Sequence, residues 1–260
     1  MSGTEELLVQ RARDLAGRAQ KGTITYTAFL TPGEQMRVIR ALGLRENEAV
    51  LHGGYRGAER CRIFFLPPYL VEAEDELRSA CLAEAFAESV IPMEIRGSGY
   101  RELTHRDFLG ALVHLGVERD RLGDLCALDK TRAIFFCDRV LAAFFTEHLE
   151  RVANDAVRLQ PAALPPDFDG GRQYAPISDT VASPRADAVV AALANLSREK
   201  AQALFREGRV ELDYEPEERF DRTVAAGCVI VIRGCGKFVI RSLSDQTRKG
   251  RYRLLADRYI

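Results

Sequence analysis

Residues 90–159 read VIPMEIRGSGYRELTHRDFLGALVHLGVERDRLGDLCALDKTRAIFFCDRVLAAFFTEHLERVANDAVRL. Val90–Arg96 has the composition of a strand. Thr104 can cap a helix, with Asp107 three residues on to complete a capping box. Phe108, Leu109, Leu112 and Val113 then recur at helical spacing. Leu122–Leu128 and Arg132–Cys137 read as two strands joined by a turn at Asp129-Lys130. Asp138–Val152 reads as a helix, with Val140, Leu141, Phe144, Phe145 and Leu149 on one face, and Ala156–Leu159 as a last strand. The order β-α-β-β-α-β is that of the ferredoxin-like split βαβ unit.

RNA-recognition modules share this order and place stacking aromatics on the third strand, where Phe135 and Phe136 fall. KTRAIFFC departs from the usual motif of such strands, lacking its glycine-aromatic core. Successive residues of a strand face opposite sides, so core packing is expected for at least one of the two phenylalanines.

Upstream, residues 4–20 read as a helix, and Thr31-Pro32 opens another that Gly43 ends. Strands follow at Ala49–His52 and Arg62–Leu66, joined by the glycine-rich turn Gly53–Arg60. Downstream, residues 160–184 hold five prolines and Gly170-Gly171, the composition of a linker or long irregular connection. Ser183-Pro184 begins a helix and Ser197 a second one that ends at Gly208. Strands are expected at 210–214, 228–233 and 237–243. The chain therefore reads as α+β. A small N-terminal α/β domain covers 1–80, an RRM-like ferredoxin-like domain 81–160, a connection 161–181 and a C-terminal domain 182–260.

Composition sets further bounds. The 260 residues are 47% hydrophobic and 29% charged, as in an ordinary globular protein. No stretch approaches the about 20 apolar residues of a spanning helix, and residues 1–17 lack the apolar run of a signal peptide. A cytoplasmic protein is expected. The six cysteines show no CxxC spacing, so reduced, mostly buried thiols are expected and a zinc site is not. Charge is uneven: residues 1–182 carry 22 basic and 27 acidic groups, residues 183–260 carry 15 and 11. A basic end on a mildly acidic body points to a polyanionic partner.

Three fragments of enzyme motifs are incomplete. His105-Arg106-Asp107 starts like a kinase catalytic loop, but Leu112 stands where Asn is needed. Gly97-Ser98-Gly99 is followed by Glu102 where a dinucleotide fingerprint needs Gly. Gly234-Cys235-Gly236-Lys237 resembles the end of a P-loop, yet Val231 and Phe238 replace its first Gly and its hydroxyl residue. No catalytic residue, cofactor or metal is expected. The stronger pattern is a stripe of Arg198, Gln202, Arg206 and Arg209 beside a helix N-terminus, to which Arg233, Lys237 and Arg241 add charge.

Residues 183–243 resemble the S4 RNA-binding domain, through Arg185 and Asp187, Ser197–Ala201, Gly208-Arg209-Val210, Gly227, and Arg233-Gly234 with Gly236-Lys237-Phe238. Pro184 and Ala186 stand where that pattern usually has Leu, and Asp213-Tyr214-Glu215 replaces a more neutral turn. HGGYRGAER (52–60) and LTHRDFLGALVHLGVERDRLGDL (103–125) resemble the YlmH family of bacterial RNA-binding proteins. The resemblance implies binding to structured RNA, ribosomal or transfer RNA, on or near the large ribosomal subunit. It implies RNA contacts from Arg185, Ser197, Arg198, Lys200, Gln202, Arg206, Arg209, Arg233 and Lys237. Tyr55, Arg56, Arg60, His105 and Arg106 are secondary candidates. Some family members are linked to cell division, so an adaptor with secondary RNA binding is an alternative. An RNA-modifying enzyme such as a pseudouridine synthase fits less well, because those carry this domain first and an RLD-type catalytic motif after it.

Overall fold

A computed structural model gives the structure of the chain and describes residues 3–45, 47–246 and 250–260. The helices are α1 (Gly3–Ala19), α2 (Pro32–Leu42), α3 (Pro68–Val71), α4 (Asp75–Ser89), α5 (His105–His114), α6 (Ala142–His148), α7 (Ala186–Ala194) and α8 (Arg198–Arg206). The strands of the first part are β1 (Thr25–Tyr26), β2 (Ala49–His52), β3 (Arg62–Phe65), β4 (Val90–Gly97), β5 (Leu122–Ala127), β6 (Arg132–Asp138), β7 (Arg151–Val152) and β8 (Asp155–Pro161). Those of the second are β9 (Tyr174–Val181), β10 (Val210–Leu212), β11 (Glu215–Pro216), β12 (Val229–Ile232), β13 (Gly236–Gln246) and β14 (Tyr252–Tyr259). This is an α+β chain, and it divides into two compact units, Met1–Gly171 and Arg172–Ile260.

In the first unit a five-stranded sheet runs β5-β6-β4-β8-β7, the ferredoxin-like order with β7 added beyond it. One face is covered by α5 and α6, whose Phe108, Leu112 and Phe145 close a core on Met93, Ile95 and Phe135. The capping box forms: the Thr104 N–H donates to Asp107 Oδ2 at 2.8 Å, and the Asp107 N–H to Thr104 Oγ1 at 3.3 Å. The expected helix over 138–152 is shorter. Arg139–Leu141 makes a 3-10 turn, and α6 stops at His148 because Arg151 and Val152 pair with Ala156 and Asp155.

A second sheet, β1-β3-β2, carries the N-terminal elements. Its central strand β3 is buried along its whole length. Ile63 and Phe65 face α1 and α2 through Ala12 and Val38, while Phe64 faces Leu70 and Leu82 of α3 and α4. The expected boundary at 80/81 cuts through α4, which is continuous because Leu82, Ala85 and Phe86 pack with Phe64. It then runs directly into β4, so the two expected domains form one unit.

Within the first unit, N-terminal residues pack on the second face of the five-stranded sheet. Phe135 points into the helix-side core and Phe136 to the opposite face, and both are buried. Phe136 is covered by Phe29, Tyr55 and Phe168, with the Tyr55 ring stacked on it at 4.9 Å. Gly54 lies so close that a Cβ there would penetrate the Phe136 ring, and its φ of 103° suits only glycine. The aromatic that an RNA-recognition sheet would offer to a base is here a buried packing residue.

The second unit is a six-stranded antiparallel sheet, β11-β10-β12-β13-β14-β9. α7 and α8 pack on one face, where Val189, Val190, Leu204 and Phe205 meet Ile230, Phe238, Ile240 and Leu254. The expected connection over 161–181 is only partly irregular. Pro161 ends β8, and Tyr174–Val181 is a strand paired with β14 from Tyr174↔Tyr259 to Val181↔Tyr252. Pro176 is tolerated because β9 is an edge strand, where alternate N–H groups have no strand to meet. The unit therefore starts at Arg172, ahead of the expected 182. Its first hairpin turns through Asp213 (φ 51°) and Tyr214 (φ 65°), the left-handed pair a two-residue type I′ turn requires.

Candidate nucleic-acid interface

The basic candidates of the second unit are organised by a residue that is not itself basic. Asp187 lies in the first turn of α7 and is fully buried. Arg198 Nη2 donates to its Oδ2 at 2.8 Å, as does Gln202 Nε2 at 2.8 Å. Arg185 Nε donates to Oδ1 at 3.3 Å. Helical spacing brings Arg198 and Gln202, one turn apart on α8, to the same carboxylate. Burial pushes the Asp187 carboxyl up, but the bonds from Gln202, Arg198 and Arg185 outweigh it, and its pKa lies below the ordinary value. The side chains of Arg185 and Arg198 remain 40% and 49% exposed. A guanidinium held on one edge and wet on the other is set to meet phosphate with its free donors.

The other expected contacts scatter around this centre. Lys200 and Arg206 are exposed on α8. Ser197 plays a different part, since its Oγ accepts the Lys200 N–H at 3.3 Å and caps α8. Arg209 lies past the end of α8, donating to Glu207 at 3.2 Å and to the Arg233 carbonyl at 2.8 Å. Arg233 pairs with Glu211 at 3.1 Å. Lys237 is not part of the helix stripe. Its neighbour Phe238 points into the helix-covered core, so Lys237 lies on the other sheet face, its Nζ 4.5 Å from the Tyr259 ring and 4.7 Å from that of Tyr214.

Among the secondary candidates, Tyr55 and Arg60 are structural. Asp124 accepts from the Tyr55 hydroxyl at 2.7 Å and from the backbone N–H groups of Glu59 and Arg60 at 2.8 and 2.9 Å. The Arg60 guanidinium donates to the carbonyls of Leu122, Phe29 and Arg119 at 2.9, 3.2 and 3.0 Å. Burial lowers the pKa of Arg60, and burial together with the Arg60 charge brings Arg119 down to about 10. Buried Arg62 adds an ion pair to Asp138 at 3.0 Å. These bonds hold the Gly53–Arg60 turn on the sheet, which the glycines alone did not disclose. Arg56, His105 and Arg106 are exposed, the last two at the start of α5. Asp107 beside them is occupied as a cap: Thr104 lowers its pKa through side-chain and backbone hydrogen bonds. Among the described residues no helix is long and apolar enough to cross a membrane, and no group of His, Cys, Asp and Glu is arranged to hold a metal ion.

Sequence comparison adds family context. Residues 5–70 match the YlmH N-terminal domain and residues 88–165 the YlmH RNA-binding domain. The ribosome-associated protein quality control protein P2 of Bacillus subtilis is 28% identical over 232 residues, covering 89% of this chain and 86% of the relative. The cell division protein ylmH from Streptococcus pneumoniae aligns over 63% of this chain and 93% of its own, at 21% identity and a TM-score of 0.46.

Proposed function

This chain belongs to the YlmH family, and we propose that it is a non-catalytic protein that binds structured RNA on the ribosome. The RNA is ribosomal or transfer RNA at the large subunit, and the role is quality control of stalled ribosomes in the cytoplasm. Residues 183–243 serve as an S4 domain and make the main contacts. The observation that carries this reading is the Asp187 centre, which fixes Arg185 and Arg198 while leaving each half exposed beside Lys200 and Arg206. Two further points support it. Residues 172–260 hold 16 basic and 12 acidic groups, against 21 and 26 in residues 1–171. The similar Bacillus subtilis protein is named for ribosome association and quality control.

Structured RNA is recognised mainly through phosphate and shape, which suits half-exposed guanidinium groups at the starts of two short helices. The role of the first unit is then selectivity, from its exposed Arg56, His105 and Arg106. A catalytic role for the His105-Arg106-Asp107 stretch is disfavoured by the capping bonds that engage Asp107. Gradient sedimentation of the full chain with purified ribosomal subunits tests the proposal. Comigration with the large subunit that high salt releases, and that Arg185→Ala with Arg198→Ala weakens, is expected. Comigration with neither subunit would refute it. RNase-resistant copurification with division proteins would favour the adaptor role instead.

A further inference from the structure

We propose that the sheet face of the second unit opposite α7 and α8 is a separate platform for unpaired RNA, taking bases on tyrosine rings and phosphates on the cations between them. The inference rests on the RNA-binding reading above and extends it to a second surface and a different form of RNA.

Both helices of this unit contribute to the core on one face of the sheet. Alternation along the strands sends the opposite set of residues outward. On β13, Phe238 and Ile240 are buried and Lys237 and Val239 point the other way. On β14, Leu254 and Ala256 are buried, and Asp257 and Tyr259 point outward. Register places Lys237 opposite Val231 on one side. On the other side β14 pairs Tyr259 with Tyr174. The outward row thus reads Val231, Lys237, Tyr259, Tyr174 across four strands.

The chemistry of this row is not that of an ordinary wet face. The Tyr174 and Tyr259 rings meet edge to face at 5.1 Å. The Lys237 ammonium sits 4.5 Å from the Tyr259 ring and 4.7 Å from the Tyr214 ring. The Arg241 guanidinium lies 5.3 Å from the Tyr174 ring and donates to Asp257 at 2.7 Å. Both cations stand on β13 and each is set against a ring, Lys237 between Tyr214 and Tyr259 and Arg241 against Tyr174. Unpaired nucleotides need this combination: a flat π-face for each base and a positive charge within reach of each phosphate. Duplex RNA hides its bases and cannot use the rings. The surface also lies opposite the Asp187 centre, so the two can engage different parts of one RNA.

The test uses the full chain with two fluorescein-labelled probes, a ten-nucleotide oligouridine and a blunt-ended RNA duplex without unpaired bases. Tyr174→Val with Tyr259→Val keeps strand preference and removes the rings; Tyr174→Phe with Tyr259→Phe keeps them. The valine pair is expected to weaken oligouridine binding about ten-fold or more. It should leave duplex binding within about two-fold, and the phenylalanine pair should retain both affinities. Should the valine pair fail to fold, ultraviolet crosslinking of the parent chain to oligouridine supplies the answer, with crosslinks expected on the peptides holding Tyr174 and Tyr259. Unchanged oligouridine binding in the valine pair, or crosslinks confined to α8, overturns the platform and leaves the RNA-binding reading intact. A parent chain that binds neither probe overturns that reading and the platform with it.

Discussion

Asp187→Ala is the substitution whose outcome depends most on the arrangement described above. The carboxylate is fully buried and accepts from Arg185, Arg198 and Gln202. Removing one partner of a buried ion pair costs about 3–5 kcal/mol when the other charge stays buried. Here the two arginine side chains are 40% and 49% exposed and can rehydrate, which brings the expected loss to about 2–3 kcal/mol. Asp187→Asn keeps the volume and one acceptor oxygen, so its cost is smaller, about 1 kcal/mol. Urea unfolding of the full chain followed by circular dichroism reads the midpoint of the second unit's transition, with an unchanged slope. The pH dependence has a fixed sign. The folded carboxyl is lowered, so its contribution is complete above the ordinary value near about 3.9 and fades as pH falls through the lower folded value. Asp187→Ala should remove that part of the acid limb. RNA affinity should fall as well, because Arg198 and Gln202 lose the group that orients them. A stability within about 0.5 kcal/mol of the parent, with unchanged RNA binding, would rule out an organising role for Asp187.

Two predictions concern the first unit. Gly54→Ala forces a methyl group into the Phe136 ring at a φ of 103°, and should cost about 2–4 kcal/mol in thermal or urea unfolding. His52 stacks on Phe86 at 3.9 Å, and burial lowers its pKa from 6.5 to about 4. The unfolded chain takes up that proton first, so stability is full above pH 6.5 and is lost as pH falls toward about 4. Partial exposure limits the effect to about 2 kcal/mol, and His52→Phe should flatten unfolding free energy across this window.

Local signals in the sequence are legible where local physics decides. Thr104 and Asp107 announce their helix because the capping box is made within four residues. The alternation of β4 and β6 and the turn at Asp129 carry the ferredoxin-like order. What escapes is set by distant partners. Tyr55 and Arg60 read as surface groups in a glycine-rich turn, and only Asp124, far along the chain, turns them into anchors. Residues 174–181 read as linker because Pro176 argues against a central strand, and nothing local reveals that the strand lies at an edge. Its partner β14 follows the basic stretch near residue 250 and is likewise missing from the expected strands. The stripe on α8 is visible from helical spacing, but half of it faces inward to a carboxylate on α7. Side chains that bind an internal acid and side chains that bind phosphate have the same composition, so only geometry separates them.

Whether α8 meets RNA phosphate is tested most directly by the salt dependence of RNA binding, compared between the full chain and its Lys200→Ala, Arg206→Ala double variant. Both side chains are exposed on α8, so the change bears on binding with little cost to folding. Affinity for a structured ribosomal or transfer RNA fragment is followed over a range of salt concentrations. The variant is expected to bind more weakly, with a log–log slope flattened by about 0.7–0.9 for each lost phosphate contact. An unchanged slope and affinity would contradict RNA binding through α8.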